Sequence, residues 1–175
     1  MRLGTNQNNS LKLPSRGRAE KNEEWGRELG GIVICPECKN IHFKKQWHPP
    51  GVFPFNFSRN FKTAEKICPA CKLVRDHAFE GEIYIENMPT SRRQEILNLI
   101  SAFGRRAMRK DPQDRIIAAE PRGDRACYVT VTENQLAVRL AKKIKDAFKN
   151  VIIKISYTKE PAELSRVYVV FRMRS

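Results

Sequence analysis

The sequence has little of what membrane-inserted, secreted and catalytic proteins carry. None of its apolar runs approaches the roughly 20 residues that cross a bilayer, and its N-terminus is polar where a signal peptide has its hydrophobic segment. It has no recognisable Ser/His/Asp set, phosphate-cradling glycine loop or paired-carboxylate motif. We therefore expect a cytoplasmic protein that is not an enzyme, takes no small-molecule substrate and does not bind membranes.

Acidic residues are scarce relative to basic ones. The 175 residues include 19 Asp and Glu against 33 Lys and Arg, a formal net charge of +14. Such a positive field attracts polyanions, of which nucleic acid is the commonest inside a cell. The basic excess is spread along the chain, which favours an extended RNA surface over a single phosphate pocket.

Cysteine is also scarce, but four of the five cysteines form two CxxC pairs, Cys35 with Cys38 and Cys68 with Cys71. In a reducing compartment thiols stay reduced, and the thiolate is a strong zinc ligand. Two such pairs complete a tetrahedral site with no open position for water, so we predict one structural Zn²⁺ ion. A redox CxxC pair and an iron–sulfur cluster would use the same residues and remain alternatives. Cys127 lies alone in an apolar segment, which indicates that its side chain packs in the protein core.

The chain divides into three segments. Residues 1–30 are polar and basic without an apolar period, which predicts a flexible tail. Residues 31–77 predict a zinc ribbon with a long loop, because prolines between the CxxC pairs forbid continuous helix or sheet. Residues 78–175 predict an α/β domain with the order strand, helix, strand, strand, helix, strand, strand. Its first six elements are typical of a ferredoxin-like split βαβ sandwich, in which two helices cover one face of an antiparallel sheet, and the seventh adds a strand.

Apolar periodicity defines the elements of this α+β fold. Period-two alternation predicts strands, and the PRGD sequence predicts a hairpin turn between two of them. The strands are expected at residues 82–87, 114–120, 125–132, 151–158 and 166–173. The helices are expected to bury Ile96, Leu97, Leu99, Ile100 and Phe103 in the first, and Leu136, Leu140, Ile144 and Phe148 in the second.

Two basic clusters are candidate RNA contacts. Cations interspersed with aromatic residues combine phosphate neutralisation with base stacking, and four cations near one helix end exceed what its dipole requires. The alternatives are a local core for the loop aromatic residues and a solvated helix terminus for the second cluster. The candidate residues are Lys44, Lys45, Trp47, Arg59 and Lys62 in the loop, and Arg105, Arg106, Arg109 and Lys110 in the helix.

Paired CxxC motifs followed by a basic α/β domain resemble the N-terminal part of the archaeal and eukaryotic large-ribosomal-subunit export adaptor family, and more closely its small bacterial relatives. The most similar stretch is DRIIAAEPRGDRACYVTVTENQLAVRLAKKIKDAFKNVIIKISYT, residues 114–158. The resemblance covers residues 32–174, without the larger zinc region, further domains and export signals of the adaptors. It therefore implies binding to rRNA or the ribosome and not export.

Together, the motifs and the resemblance predict a zinc-containing, ribosome-associated factor that binds rRNA during maturation, quality control or dormancy. Ribosomal proteins are expected as further partners. The alternative is a zinc-ribbon regulator or adaptor that binds DNA or a protein partner, with the basic charge serving only as a general electrostatic aid.

Overall fold

The computed structural model describes residues 32–51, 63–158 and 164–172. Within these residues the chain forms two mixed β-sheets and three α-helices, which confirms the α+β class. None of these helices is long and apolar enough to cross a membrane. The predicted tail at 1–30 lies outside the described residues, as do loop residues Arg59 and Lys62.

The first part of the fold is a sheet of very short strands followed by a helix. Its strands are β1 (Ile32–Ile34), β2 (Ile41–Phe43), β3 (Gln46–His48) and β4 (Thr63–Glu65), and helix α1 spans Pro69–Arg75. The sheet order is β3-β2-β1-β4, with β4 parallel to β1 and the other pairs antiparallel. Lys44 and Lys45 form the turn between β2 and β3 with φ angles of 48° and 66°, the left-handed backbone that a two-residue hairpin turn requires. The turn therefore presents two adjacent lysines.

The second part contains the seven predicted elements in the predicted order. They are β5 (Gly81–Glu86), α2 (Arg93–Lys110), β6 (Ile116–Pro121), β7 (Cys127–Val131), α3 (Asn134–Ala147), β8 (Val151–Thr158) and β9 (Leu164–Phe171). The hairpin turn between β6 and β7 is confirmed, with Gly123 at a φ of 68°. Local periodicity was thus sufficient to place every element of this sheet and its helices.

The expectation of an antiparallel, ferredoxin-like sheet is wrong in one respect. The strand order is β6-β7-β5-β9-β8, so the additional strand β9 lies between β5 and β8 and runs parallel to β5. The sequences of the two C-terminal strands explain this order. Strand β9 is buried at alternate positions throughout, whereas residues 154–158 of β8 are all exposed. The more apolar strand takes the interior position and the more polar strand becomes the edge.

Helices α2 and α3 pack on one face of this sheet and form the main core. The predicted helix positions are buried or pack partly buried against the core, and they meet alternate residues of the central strands. Each of the following is at most 1% exposed: Ile83, Ile85, Val129, Val131, Val167 and Val169 on the strands, and Ile96, Ile100, Leu136, Leu140 and Ile144 on the helices.

The opposite face of the sheet carries an aromatic and charged row. Tyr84 of β5 is paired in register with Tyr128 of β7 on one side and Tyr168 of β9 on the other. The hydroxyls of Tyr84 and Tyr128 donate hydrogen bonds to Glu82, whose side chain is only 4% exposed and forms an ion pair with Arg166. This face is therefore distinct in chemistry from the aliphatic face beneath the helices.

Gly81 provides a test of the packing where β5 begins. A Cβ atom at this position would lie 2.8 Å from Cγ2 of Val131 and 2.9 Å from Cβ of Ala137, closer than carbon atoms approach. We expect Gly81→Ala to destabilise the protein by about 1–3 kcal/mol, because strand and helix must separate to accept the methyl group. Thermal denaturation followed by circular dichroism would measure the loss. An unchanged melting temperature would show that this contact is looser than described.

Candidate metal centre and basic groove

The first cysteine pair lies in the turn between β1 and β2. Cys35 directly follows β1, and its backbone N–H donates to the carbonyl oxygen of Asn40 at 2.8 Å, while its own carbonyl accepts from the N–H of Lys39 at 2.9 Å. Lys39 has a φ of 58°, so the chain reverses immediately after Cys38. This tight turn brings both sulfur atoms of the pair to the same side of the backbone.

The second pair lies at the start of α1. Cys68 is the N-cap residue, and its Sγ accepts a hydrogen bond from the backbone N–H of Cys71 at 3.4 Å. Pro69 occupies the first helical turn, where its missing N–H is not needed. The zinc ribbon expected for residues 31–77 is not confirmed, because this pair opens a helix and does not lie in a second hairpin.

The four sulfur atoms converge on one point. The Sγ atoms of Cys35, Cys38, Cys68 and Cys71 all lie within 4.8 Å of one another. The Sγ atoms of Cys38 and Cys68 are 3.7 Å apart. Sulfur atoms at the corners of a tetrahedron, about 2.3 Å from a central ion, are separated by roughly 3.8 Å. The described residues therefore form a cluster that could hold one metal ion.

Burial and hydrogen bonding of the thiols set their proton affinity. Burial acts to raise the pKa of Cys35, but backbone hydrogen bonds from Cys38 and Cys68 lower it to about 7. Burial raises the pKa of Cys68 to about 11 and also raises the pKa of Cys71. Both of the latter thiols are thus protonated at neutral pH without metal. A metal ion must displace these protons, so its affinity should fall as the pH is lowered.

The fifth cysteine is separate from this cluster. Cys127 is buried on β7 in the core beneath the helices, and burial raises the pKa of its thiol. This placement agrees with the packing role that its apolar surroundings in the sequence indicate.

A groove next to the metal centre contains part of both predicted basic clusters. We call it the basic groove and define it by residues 45–49, from the β2–β3 turn to just beyond β3, and residues 109–113 at the end of α2. Its volume is about 600 Å³. Lys45 and Trp47 line one side, and Arg109 and Lys110 line the other. Two segments about 60 residues apart in sequence thus form one cationic surface.

Gln113 connects the two parts of the fold at the base of this groove. Its side-chain oxygen accepts a hydrogen bond from the backbone N–H of Ala70, next to the cysteines, at 3.2 Å. Its backbone carbonyl accepts a bond from the hydroxyl of Thr132 at 2.7 Å. The side-chain nitrogen of Gln113 is buried and has no hydrogen-bond partner in the described part of the chain. No feature of the sequence pointed to this residue.

The remaining candidate RNA contacts are distributed differently. Lys44 and Arg106 are exposed beside the groove, on the same turn and helix as its lining residues. Arg105 instead donates to the hydroxyl of Ser101 at 2.7 Å and lines a separate apolar cavity with Met108 and Ile116.

Trp47 contacts the cysteine cluster and also lines the basic groove. It lies half-buried against the cysteine cluster, with its ring 5.1 Å from that of His42. The local-core alternative for the loop aromatic residues is therefore supported for Trp47, although part of its surface still lines the groove.

The sequence matches no protein-family model and no curated protein at a significant level.

Proposed function

We propose that the four cysteines hold one structural Zn²⁺ ion. An all-sulfur, four-ligand set with near-tetrahedral spacing suits zinc, and four thiolates leave no position at which water or a substrate could bind the ion. Sulfur atoms this close together leave room for one ion at their centre but not for a cluster of several iron and sulfide atoms. A redox role for either CxxC pair is less consistent with all four sulfur atoms meeting at one point.

We further propose that the protein is a cytoplasmic, non-enzymatic factor that binds RNA, with rRNA on the ribosome as its target and ribosomal proteins as neighbours. The observation that carries this proposal is the basic groove. It brings Lys45, Arg109 and Lys110 around one concave surface with an aromatic residue, the combination that binds phosphates and bases together. The resemblance to the ribosomal export adaptors supports rRNA over other nucleic acids.

Charge also supports a nucleic-acid partner over a protein partner. Within the groove only Asp111 is acidic, and one oxygen of its carboxylate already accepts a hydrogen bond from the backbone N–H of Gln113 at 2.8 Å. The net charge of +14 extends the positive field beyond the groove. A protein partner would need an unusually acidic surface to match it.

Co-sedimentation with purified ribosomal subunits at increasing salt tests this proposal. With three to five phosphate contacts, the affinity should fall roughly 20- to 200-fold between roughly 50 and 200 mM monovalent salt, because each contact releases condensed counterions. Naked rRNA should compete, and duplex DNA should compete less well. The opposite result would be that the protein does not bind subunits or rRNA at low salt, but binds DNA or a protein partner with little salt dependence. That result would favour the regulator or adaptor alternative.

A further inference from the structure

Three tyrosines form a continuous aromatic row on the sheet face opposite the helices. The ring centroids of Tyr84 and Tyr168 are 5.2 Å apart with planes 17° from parallel, and those of Tyr84 and Tyr128 are 5.0 Å apart at 46°. All three side chains are partly exposed. The nearly parallel rings of Tyr84 and Tyr168 are stacked with an offset, and part of each tyrosine side chain in the row remains accessible to solvent.

A buried carboxylate holds two of these rings in place. Glu82 accepts hydrogen bonds from the hydroxyls of Tyr84 at 3.1 Å and Tyr128 at 2.8 Å, and from the guanidinium of Arg166. Burial raises the pKa of both tyrosines, and so does the Glu82 carboxylate. Their hydroxyls therefore remain protonated donors at physiological pH. Burying a charge in a sheet is a costly way to gain stability, since apolar residues of similar size usually serve as well. Its effect here is to orient aromatic rings.

The two ends of the row differ. Beyond Tyr128 the guanidinium of Arg122 lies 5.6 Å from the ring centroid, so a cation already occupies that end. At the other end the residue directly opposite Tyr168 is the exposed Lys154 of β8. Lys154 thus places an ammonium group beside Tyr168, where it could contact the phosphate of a base that stacks on the exposed part of this ring.

Further cations collect at one end of the sheet, close to the row. Strands β5 and β9 end there, β8 begins there, and the β6–β7 turn lies there. The backbone N–H of Met88 donates to the carbonyl of Arg125, and that of Arg172 donates to the carbonyl of Asn150, both at 2.8 Å. The cations brought to this end are Arg122, Arg125, Lys149 and Arg172. The row is thus bordered by positive charge on the side where a polyanionic backbone would run.

We infer that this tyrosine row binds single-stranded RNA by stacking unpaired bases on Tyr168 and its neighbours, with Lys154 and the arginines at the sheet end contacting phosphates. The inference rests on the proposed RNA-binding function and deepens it. It adds base stacking on the sheet face to the phosphate and aromatic contacts proposed for the basic groove. Two acids on this face are paired, Glu82 with Arg166 and Glu120 with Arg122, and Glu86 is exposed on the same face where β5 ends among the cations.

Binding of a fluorescent single-stranded oligoribonucleotide of about eight nucleotides to the full chain tests the inference. The double variant Tyr84→Leu, Tyr168→Leu should bind about 5- to 100-fold more weakly, because each stacked base contributes on the order of a ten-fold factor. The matched control is Tyr157→Leu, since Tyr157 is 60% exposed on the same sheet but lies outside the row, opposite Ser165. It should bind like wild type.

A second pair of measurements separates stacking from loss of folding. Tyr84→Phe, Tyr168→Phe keeps both rings but loses the hydroxyl bond to Glu82, so it should bind within about two-fold of wild type if stacking dominates. Equal losses in the Leu and Phe variants would overturn the inference. On wild-type protein, photocrosslinking of 4-thiouridine RNA should label peptides containing Tyr168 or Lys154. Labelling confined to the basic groove would also overturn it.

These outcomes are distinct from those of the proposed function itself. If wild-type protein binds neither ribosomal subunits nor any RNA, the proposed function fails and this inference fails with it. If subunits and rRNA bind with the expected salt dependence, but the folded tyrosine variants bind the oligoribonucleotide like wild type, only the sheet-face inference is overturned. The sheet-face inference would also be overturned if the tyrosine row bound a protein partner and no RNA.

Discussion

Replacing Cys68 by serine is expected to release the metal and unfold the cysteine-containing part of the chain while the five-stranded sheet stays folded. The first sheet has strands of only three residues, and besides the cluster of cysteines with Ala70 only a few apolar side chains in the described residues of this part are buried, namely Ile32, Val33, Ile41 and Leu73. So small a core cannot offset the conformational entropy of ordering its residues. Binding of zinc to a four-cysteine site provides about 10–16 kcal/mol at neutral pH, and this supplies the missing stability.

Serine is the appropriate substitution because it separates the metal from the helix cap. Cys68 also caps α1 through the hydrogen bond from Cys71, and serine is a better N-cap residue than cysteine. Loss of structure in Cys68→Ser therefore reports loss of a ligand and not loss of a cap. The control is Cys127→Ala, which removes the one cysteine outside the cluster and should leave the metal content unchanged.

Metal analysis and amide hydrogen exchange would measure the result. We expect one zinc per wild-type chain, and in Cys68→Ser fast exchange from β1 to α1 beside slow exchange in β5, β7 and β9. The amides near Gln113 should exchange faster as well, since Gln113 bonds to Ala70. In the wild type, zinc affinity should fall as the pH is lowered below about 11, because the Cys68 thiol must lose a proton to bind, and more steeply below about 7, where the Cys35 thiol is protonated as well. A metal-free chain with protected amides in the first sheet would contradict the prediction.

The metal ligands and the regular elements could be predicted because their signals are local. A CxxC pair brings its two sulfurs together through one turn, whatever the rest of the chain does. The helices and strands of the second sheet follow from apolar periods within 6 to 18 residues. Local signals do not determine which elements become neighbours in the fold. The helical start at the second CxxC pair escaped notice because a seven-residue helix such as α1 has too few turns to show a period.

Strand order determined the features that the sequence did not reveal. Tyrosines occur at the solvent-facing positions of three predicted strands, in the sequences IYI, CYV and VYV, so each was visible individually. They form a row only because β9 inserts beside β5. In the expected ferredoxin-like order, β8 would have occupied that place, and Tyr168 would not lie beside Tyr84. The insertion depends on the relative polarity of β8 and β9, which is a comparison between strands and not a pattern within one.

The basic groove likewise depends on a long-range contact, although strand order plays no part in it. Lys45 and Arg109 belong to clusters that the sequence presents as two separate surfaces. The hydrogen bond between Ala70 of α1 and Gln113 joins the cysteine-containing part to the segment that follows α2, and the groove forms where these parts meet. A single side-chain bond over 43 residues has no sequence signature.

Removing the charges on both sides of the basic groove should weaken RNA binding strongly and with a specific non-additivity. We expect Lys44→Asn, Lys45→Asn and Arg109→Gln, Lys110→Gln each to reduce rRNA affinity roughly 10- to 100-fold and to lower the salt slope by about one per lost contact. Asparagine suits the turn because it tolerates the positive φ of both lysines. Glutamine keeps the helix propensity of α2, although the lost helix-dipole interaction costs about 0.3–1 kcal/mol.

The quadruple variant tests whether both sides bind the same RNA segment. If they do, the loss in the quadruple variant should differ from the sum of the two double variants, because neighbouring contacts to one ligand are coupled. The control is Lys142→Gln, Lys143→Gln, two exposed lysines of α3 outside the groove. It removes the same charge and leaves the groove intact, so a general electrostatic effect would appear in it as well. Strict additivity, with the control as defective as either double variant, would mean that RNA responds to the net charge of the protein and not to this groove.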